Sequence, residues 1–304
     1  MFFDTLESRR MMSVTVTSAF GTLNIEGTNG RENVSLYHNR TTNQFTIGEY
    51  DQATQRYSTR VVSGAGVTQI RMAGNGGDDT LSIDRNVRLT ATLIGGPGND
   101  FLMGGGGRNV LTGEAGNDTL IGGDFHDVIY GMDGDDTIDG RGGSDVMHGM
   151  NGRDEVSYSL FRPRTENLRL SPNGRAESGA LNERDTIMTD VEIVTGGNGN
   201  DLLLGTSRND FLRGGMGKDT LYGYAGDDFL HGDDGNDVLV GGSGRDLMLG
   251  GNGSDVLDAR DGGFNDYVEG KLPFSTSDNG FDVTLIDRGP SGAIDTVYRS
   301  DRVY

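Results

Sequence analysis

A nine-residue period dominates this chain. From Gly95 to Ser157 and again from Gly196 to Asp258 the same unit repeats seven times without a break, as GGPGNDFLM at the head of the first run and GGNGNDLLL at the head of the second. A unit this short cannot bury a hydrophobic face alone, so a fixed short period specifies a stack of coils. Position one is Gly in all fourteen copies, and position four is Gly except at Phe125 and Arg208. Position six is Asp except at Asn109, and position eight is always Leu, Ile, Val or Met. Glycine at positions one and four suggests a turn through φ > 0, which only glycine adopts freely. Positions seven to nine read as a short strand with one inward apolar side chain. Turn and strand make half a coil, so eighteen residues close one coil, with coils stacked roughly 4.8 Å apart like strands in a sheet.

That stacking brings position-six carboxylates together. Asp100, Asp118, Asp136 and Asp154 form one column in the first run, and Asn109, Asp127 and Asp145 form the opposite one. In the second run the columns are Asp201, Asp219, Asp237, Asp255 and Asp210, Asp228, Asp246. Unit charges at this spacing repel by about 1 kcal/mol in water and by several at a lower effective dielectric. A hard cation between coils reverses the sign. Carboxylate and carbonyl oxygens suit Ca²⁺, which takes six to eight of them. Nitrogen and sulfur ligands for a transition metal do not recur in the unit.

The unit resembles the RTX, or haemolysin-type, calcium-binding nonapeptide GGxGxDxUx. GGPGNDFLM, GGNGNDLLL and GGMGKDTLY fit every fixed position. The resemblance implies an all-β fold, a right-handed parallel β-helix (β-roll) solenoid with β-strand caps. It also implies several Ca²⁺ ions held between coils by the position-six carboxylates and by turn carbonyls. The ligand columns are then the thirteen Asp residues above, with turns supplied by Gly95, Gly98, Gly113, Gly116, Gly131 and Gly134 in the first run. Gly196, Gly199, Gly214, Gly217, Gly232 and Gly235 supply them in the second. Asn109 brings no charge and Phe125 removes a turn glycine, so the Asn109–Asp127 site is expected to be weak or empty. Arg208 puts the Asp210–Asp228 site in similar doubt.

The charge lies where the repeat lies. The chain of 304 residues has a formal net charge of −20, and the two runs hold 23 acidic against 7 basic residues. With no basic face to neutralise phosphate, nucleic acid is excluded as a partner. Gly accounts for 52 residues, and its strict period argues for order rather than low-complexity disorder. There is no Cys, hence no disulfide framework, and bound metal is the staple left to such a chain. No stretch approaches eighteen apolar residues, so no membrane-spanning helix is expected. The resemblance points to a secreted or extracellular, cell-surface-associated protein, although residues 1–13 lack the apolar core of an ordinary signal peptide. Within them, LESRRMMS at 6–13 is similar to the LEPR-XLL motif of exported bacterial repeat proteins, with Ser8 for its Pro and Met11–Met12 for its leucines.

Six segments follow. Residues 1–13 form a tail. Residues 14–94 are rich in short Thr- and Val-bearing strands and read as a β cap or as irregular first coils, with an independent small β domain as the alternative. They include imperfect units with Glu32 and Asp79 at position six. Residues 95–157 are the first block. Residues 158–195 interrupt the repeat with strands or a wide coil, and residues 196–258 are the second block. Residues 259–304 read as a C-terminal β cap, with an uncleaved export signal as the alternative.

Catalytic motifs are sparse. His38, His126, His148 and His231 form no H-E-x-x-H pair, and the three inside the repeat are expected to be exposed. No G-x-S-x-G elbow stands between strand and helix. The expectation is a calcium-binding protein that is no enzyme and has a structural or adhesive role, with cell-surface or matrix polysaccharide as partner. The alternative is a polysaccharide-modifying enzyme on the same scaffold, with Tyr37, Tyr50, Tyr57 and Arg60 as sugar contacts.

Overall fold

The computed structural model describes residues 14–51, 55–160, 164–175, 178–180, 183–260, 266–271, 283–285, 296–298 and 302–303. The tail motif at 6–13 lies outside them, as does most of the segment after Arg260. The described residues form an all-β parallel solenoid without a helix. The chain alternates between one long sheet of fourteen strands and a facing flank. That flank is an eight-stranded sheet in the first half of the molecule and a seven-stranded sheet in the second.

Register within the blocks is the eighteen-residue step that the period predicts. Thr119 pairs with Thr137, Val110 with Val128, and Thr220 with Val238, all in parallel. Position eight fills the interior: Leu102, Leu120 and Ile138 from the long sheet meet Leu111, Ile129 and Met147 from the flank, all at 0 % exposure. Both faces of each coil thus contribute one aliphatic side chain per strand to a single continuous core. Burying such a side chain is worth about 1.5–3 kcal/mol.

Residues 14–94 belong to this stack. Thr22–Glu26 and Asn33–Asn39 form a first coil, Gln69–Ala73 and Thr80–Ile83 a second. Thr15–Ala19 pairs antiparallel to the first coil on one flank, and Gln44–Asp51 with Arg56–Ser63 extends the other. Of the proposed sugar contacts, Tyr37 is exposed on the first coil and Tyr57 on the extension, where the Tyr50 and Tyr57 rings lie 6.5 Å apart.

The interruption leaves the long sheet intact. Glu155–Ser157 pairs directly with Ile193–Thr195 across it. Between them the chain lays down Arg169–Leu170, which starts the second flank, and then Thr186–Ile187, which ends the first. The segment is a splice that passes the flank from one sheet to the other.

The turn glycines need one correction. Gly98, Gly116 and Gly134 at position four have φ of 147°, 126° and 135°, as expected. Position-one glycines such as Gly95 and Gly113 are not left-handed. The second left-handed position is position two, occupied in some units by glycine (Gly96, Gly215, Gly242 and Gly251) and in others by Glu114, Met132, Arg141, Met150, Tyr224 and Asp233 with φ between 64° and 90°. The glycines mark the requirement in the sequence; the side-chain-bearing residues, of types without a turn signature, do not. Each pays the steric penalty of a Cβ in the left-handed region. Met132 and Met150 stand at the surface, 38 % and 41 % exposed, outside the buried core. Met132→Gly is therefore expected to raise the unfolding free energy by about 0.5–1 kcal/mol in denaturant titrations with calcium present.

Candidate metal centre

The turns stack along two edges of the solenoid, and each edge carries one column of acids. Along one edge run Glu32, Asp79, Asp100, Asp118, Asp136, Asp154 and Glu192, followed by Asp210, Asp228, Asp246 and Asp266; each immediately precedes a strand of the long sheet. Along the other run Asn109, Asp127, Asp145 and Asp185, then Asp201, Asp219, Asp237 and Asp255. The column through Asp100 therefore continues into the Asp210 column of the second block, and the Asn109 column is replaced by the Asp201 column. Glu32 and Asp79 were visible as position-six residues of imperfect units. Asp185, Glu192 and Asp266 were not assigned to a column. Their signal is an acid one residue ahead of a strand with an inward apolar residue, as in Asp185-Thr186-Ile187.

The columns are hydrogen-bonded. The backbone N–H of Asp100 donates to Oδ1 of Asp118 at 2.7 Å, that of Asp118 to Asp136 at 2.8 Å, and that of Asp136 to Asp154 at 2.9 Å. Glu32, Asp79 and Asp154 donate likewise to Asp79, Asp100 and Glu192. In the second block Asp201, Asp219 and Asp210 donate to Asp219, Asp237 and Asp228 at 2.7–2.8 Å. One oxygen of each carboxylate is thereby bound to the coil beneath it.

The other oxygen is the informative one. Oδ2 of Asp79, Asp100, Asp118, Asp136, Asp145, Asp154, Asp219, Asp228 and Asp237 is buried and has no hydrogen-bond partner. A buried polar atom left unpaired costs about 1–3 kcal/mol, and more when charged. These atoms face a common surround. A methyl group built on Gly95 would collide with Oδ2 of Asp100 and meet the carbonyl oxygen of Gly113 in the next coil. The same pairing recurs at Gly74 with Asp79 and the Gly95 carbonyl, at Gly113 with Asp118 and Gly131, and at Gly131 with Asp136 and Gly149. In the second block it recurs at Gly214, Gly223 and Gly232. Position one is glycine because a side chain would fill the space that carboxylate and carbonyl oxygens share. At position four, Gly98, Gly116, Gly134, Gly199, Gly217 and Gly235 each press against a carbonyl of the preceding coil, forming a second column of close backbone approach.

The donor set is oxygen throughout and combines carboxylates with main-chain carbonyls. Among the described residues no three His, Cys, Asp or Glu side chains converge on one point. An all-oxygen surround with few carboxylates fits Ca²⁺. The histidines lie apart from the columns, and two are less exposed than the sequence suggested. His148 stacks on Tyr130 with ring centroids 5.0 Å apart, and His231 contacts Asp233 at 3.1 Å. Both pack on the outer sheet faces; His126 is exposed.

A chain with this fold and these columns is a solenoid repeat protein with rows of buried oxygen acceptors between its coils. Residues 94–129, 121–156, 195–230 and 231–263 match the RTX calcium-binding nonapeptide repeat in four copies. The two blocks are RTX calcium-binding repeats wound as a β-solenoid. No curated protein matches the chain.

Burial drives the column carboxyls toward their neutral form. It raises Asp79, Asp118, Asp154, Asp219 and Asp228 to about 7, and Asp237 to about 8, against the opposing pull of the N–H each accepts. Asp145 is raised to about 9, by burial first and by the neighbouring Asp185 charge second. A carboxyl whose folded pKa exceeds its unfolded value binds protons more tightly when folded. Its contribution to stability is greatest at low pH and is lost as pH rises toward the folded pKa. The metal-free protein should therefore lose thermal stability steadily between about pH 4 and pH 8. Saturating Ca²⁺ should flatten that slope, as differential scanning calorimetry would show. Gly113→Ala should lower calcium uptake at neutral pH, read by calorimetric titration, because its methyl group invades the Asp118 cradle.

Proposed function

We propose that the chain is an exported calcium-binding protein whose solenoid sets when Ca²⁺ enters the two edges. The observation that carries this reading is the row of buried, unpartnered Oδ2 atoms, of which those of Asp79, Asp100, Asp118, Asp136, Asp219, Asp228 and Asp237 share their space with a carbonyl of the following coil. Without a cation every such rung closes on an unpaired carboxylate or on a proton. A divalent cation supplies the positive charge and the demand for several oxygen ligands that this surround meets. Asp79, Asp100, Asp118, Asp136, Asp145, Asp154, Asp219, Asp228 and Asp237 would hold the ions, with position-one and position-four carbonyls completing the shells. Asp79 adds a site ahead of the matched repeats.

Linkage supplies the switch. A ligand that binds only the folded chain adds RT ln(1 + [L]/Kd) to its stability, about 1.4 kcal/mol per site when ligand stands at about ten times Kd. Extracellular modules bind Ca²⁺ with Kd of about 10⁻⁴–10⁻³ M, which keeps such sites unfilled at cytosolic calcium and filled outside. Secretion is the general habit of RTX-repeat proteins and agrees with the absence of Cys. The set rod serves a structural or adhesive role, presenting its ends to cell-surface or matrix polysaccharide. Such architectures are typically structural, and no reaction is assigned to this chain.

Circular dichroism with Ca²⁺ and with chelator tests the reading. The strand signal should rise on calcium addition, with calorimetric uptake of several ions; an unchanged spectrum and no uptake would refute it. Asp237→Ala should raise the calcium midpoint several-fold. Asp127→Ala should shift it little, because Asp127 sits beside Asn109; equal shifts would overturn that ranking.

A further inference from the structure

Several rungs do not aim a bare oxygen at the gap. Asn109 donates from Nδ2 to the carbonyls of Gly107 at 2.9 Å and Gly105 at 3.2 Å, and to Oδ1 of Asp127 at 2.9 Å. Its own Oδ1 accepts from the Gly105 N–H at 3.2 Å. A polarised amide NH₂ thus stands among the turn carbonyls and the next coil's carboxylate. Asp127 is satisfied on its other oxygen by the Gly123 N–H at 2.5 Å.

The same pattern surrounds the splice, with different donors. Asp185 takes the Tyr158 hydroxyl on Oδ2 at 2.8 Å and the Asp145 N–H on Oδ1 at 2.9 Å. Asp201 takes the Gly197 N–H on Oδ2 at 2.7 Å and the Leu168 N–H on Oδ1 at 2.8 Å. Asp210 takes the Thr206 N–H at 2.6 Å and the Thr206 hydroxyl at 3.0 Å on Oδ2. Arg164 brings a fixed positive charge to the same place, with Nη1 on Glu183 at 3.0 Å and its guanidinium 5.9 Å from the Tyr158 ring. Tyr158 is fully buried, so its hydroxyl is held against Asp185 rather than shared with water.

We propose that Asn109, Tyr158, Gly197 and Thr206 are occupancy-determining residues: their donors seal the Asn109–Asp127 rung and the rungs on either side of the splice. Those rungs take no cation and close without one. The ion-dependent rungs are the interior ones, in two separate sets joined by a segment that the protein's own donors hold. This rests on the calcium reading above and adds which coils escape it. It also accounts for Arg208: the coil beneath it is the splice, which has no repeat turn there.

Ion counting on the full-length chain tests the proposal. Asn109→Asp restores the repeat residue and removes the amide, so calorimetric titration and equilibrium dialysis with Ca²⁺ should find one ion more than in the unaltered protein. An unchanged count overturns the seal at that rung while leaving the calcium reading standing. No uptake by the unaltered protein refutes the calcium reading itself, and the seals with it. Hydrogen exchange in chelator gives a second readout on the unaltered chain. The amides of Gly197 and Thr206 should exchange at nearly the calcium-loaded rate, whereas those of Asp100, Asp118 and Asp219 should accelerate at least tenfold. Equal acceleration at both sets overturns the proposal.

Discussion

Each coil depends on a carboxylate used twice. One oxygen accepts the N–H of the acid in the coil beneath, and at rungs such as Asp100, Asp118 and Asp219 the other faces a carbonyl of the coil above. The first interaction fixes the stacking distance and direction of the column. The second is repulsive between protein atoms alone, since two oxygen acceptors share a buried space. Register and the unpaired acceptor thus come from the same residue. A hydrophobic core that is only one aliphatic side chain deep per strand cannot absorb many unpaired buried charges.

The glycines follow from this. At position one the carboxylate and carbonyl oxygens leave no room for a Cβ, and at position four the preceding coil's carbonyl does the same. Position-one glycine is thus a requirement between coils rather than a requirement on φ. Position two is mixed: some units keep glycine there, and others accept Met, Tyr, Glu, Arg or Asp despite the unfavourable φ.

The splice shows how a periodic stack accommodates an irregular segment. The long sheet passes through without a gap, because Glu155 pairs with Ile193 and Glu192 takes the place of a position-six Asp. The flank is broken and restarted, and it is there that hydroxyl, amide and guanidinium groups gather. Tyr158 donates a hydrogen bond to Asp185, and Arg164, bonded to Glu183, adds positive charge beside it.

Much of this was legible in the sequence because the repeat makes residues eighteen apart into neighbours. The inward column at position eight, the acid columns and the outlying members Glu32 and Asp79 need only the period and the chemistry of one unit. Other features depend on residues that the period does not bring together. Tyr158 reaches Asp185 from 27 residues away, and the path of residues 158–195 decides which acid column of the first block runs into which column of the second. Whether a given carboxylate keeps a bare oxygen or meets a donor is also set by such placements. Periodicity determines where the carboxylates stand; only the folded chain determines which of them keep a bare oxygen, because whether a donor such as Asn109, Tyr158, Gly197 or Thr206 reaches a carboxylate is set by local backbone and side-chain placement that the period does not specify.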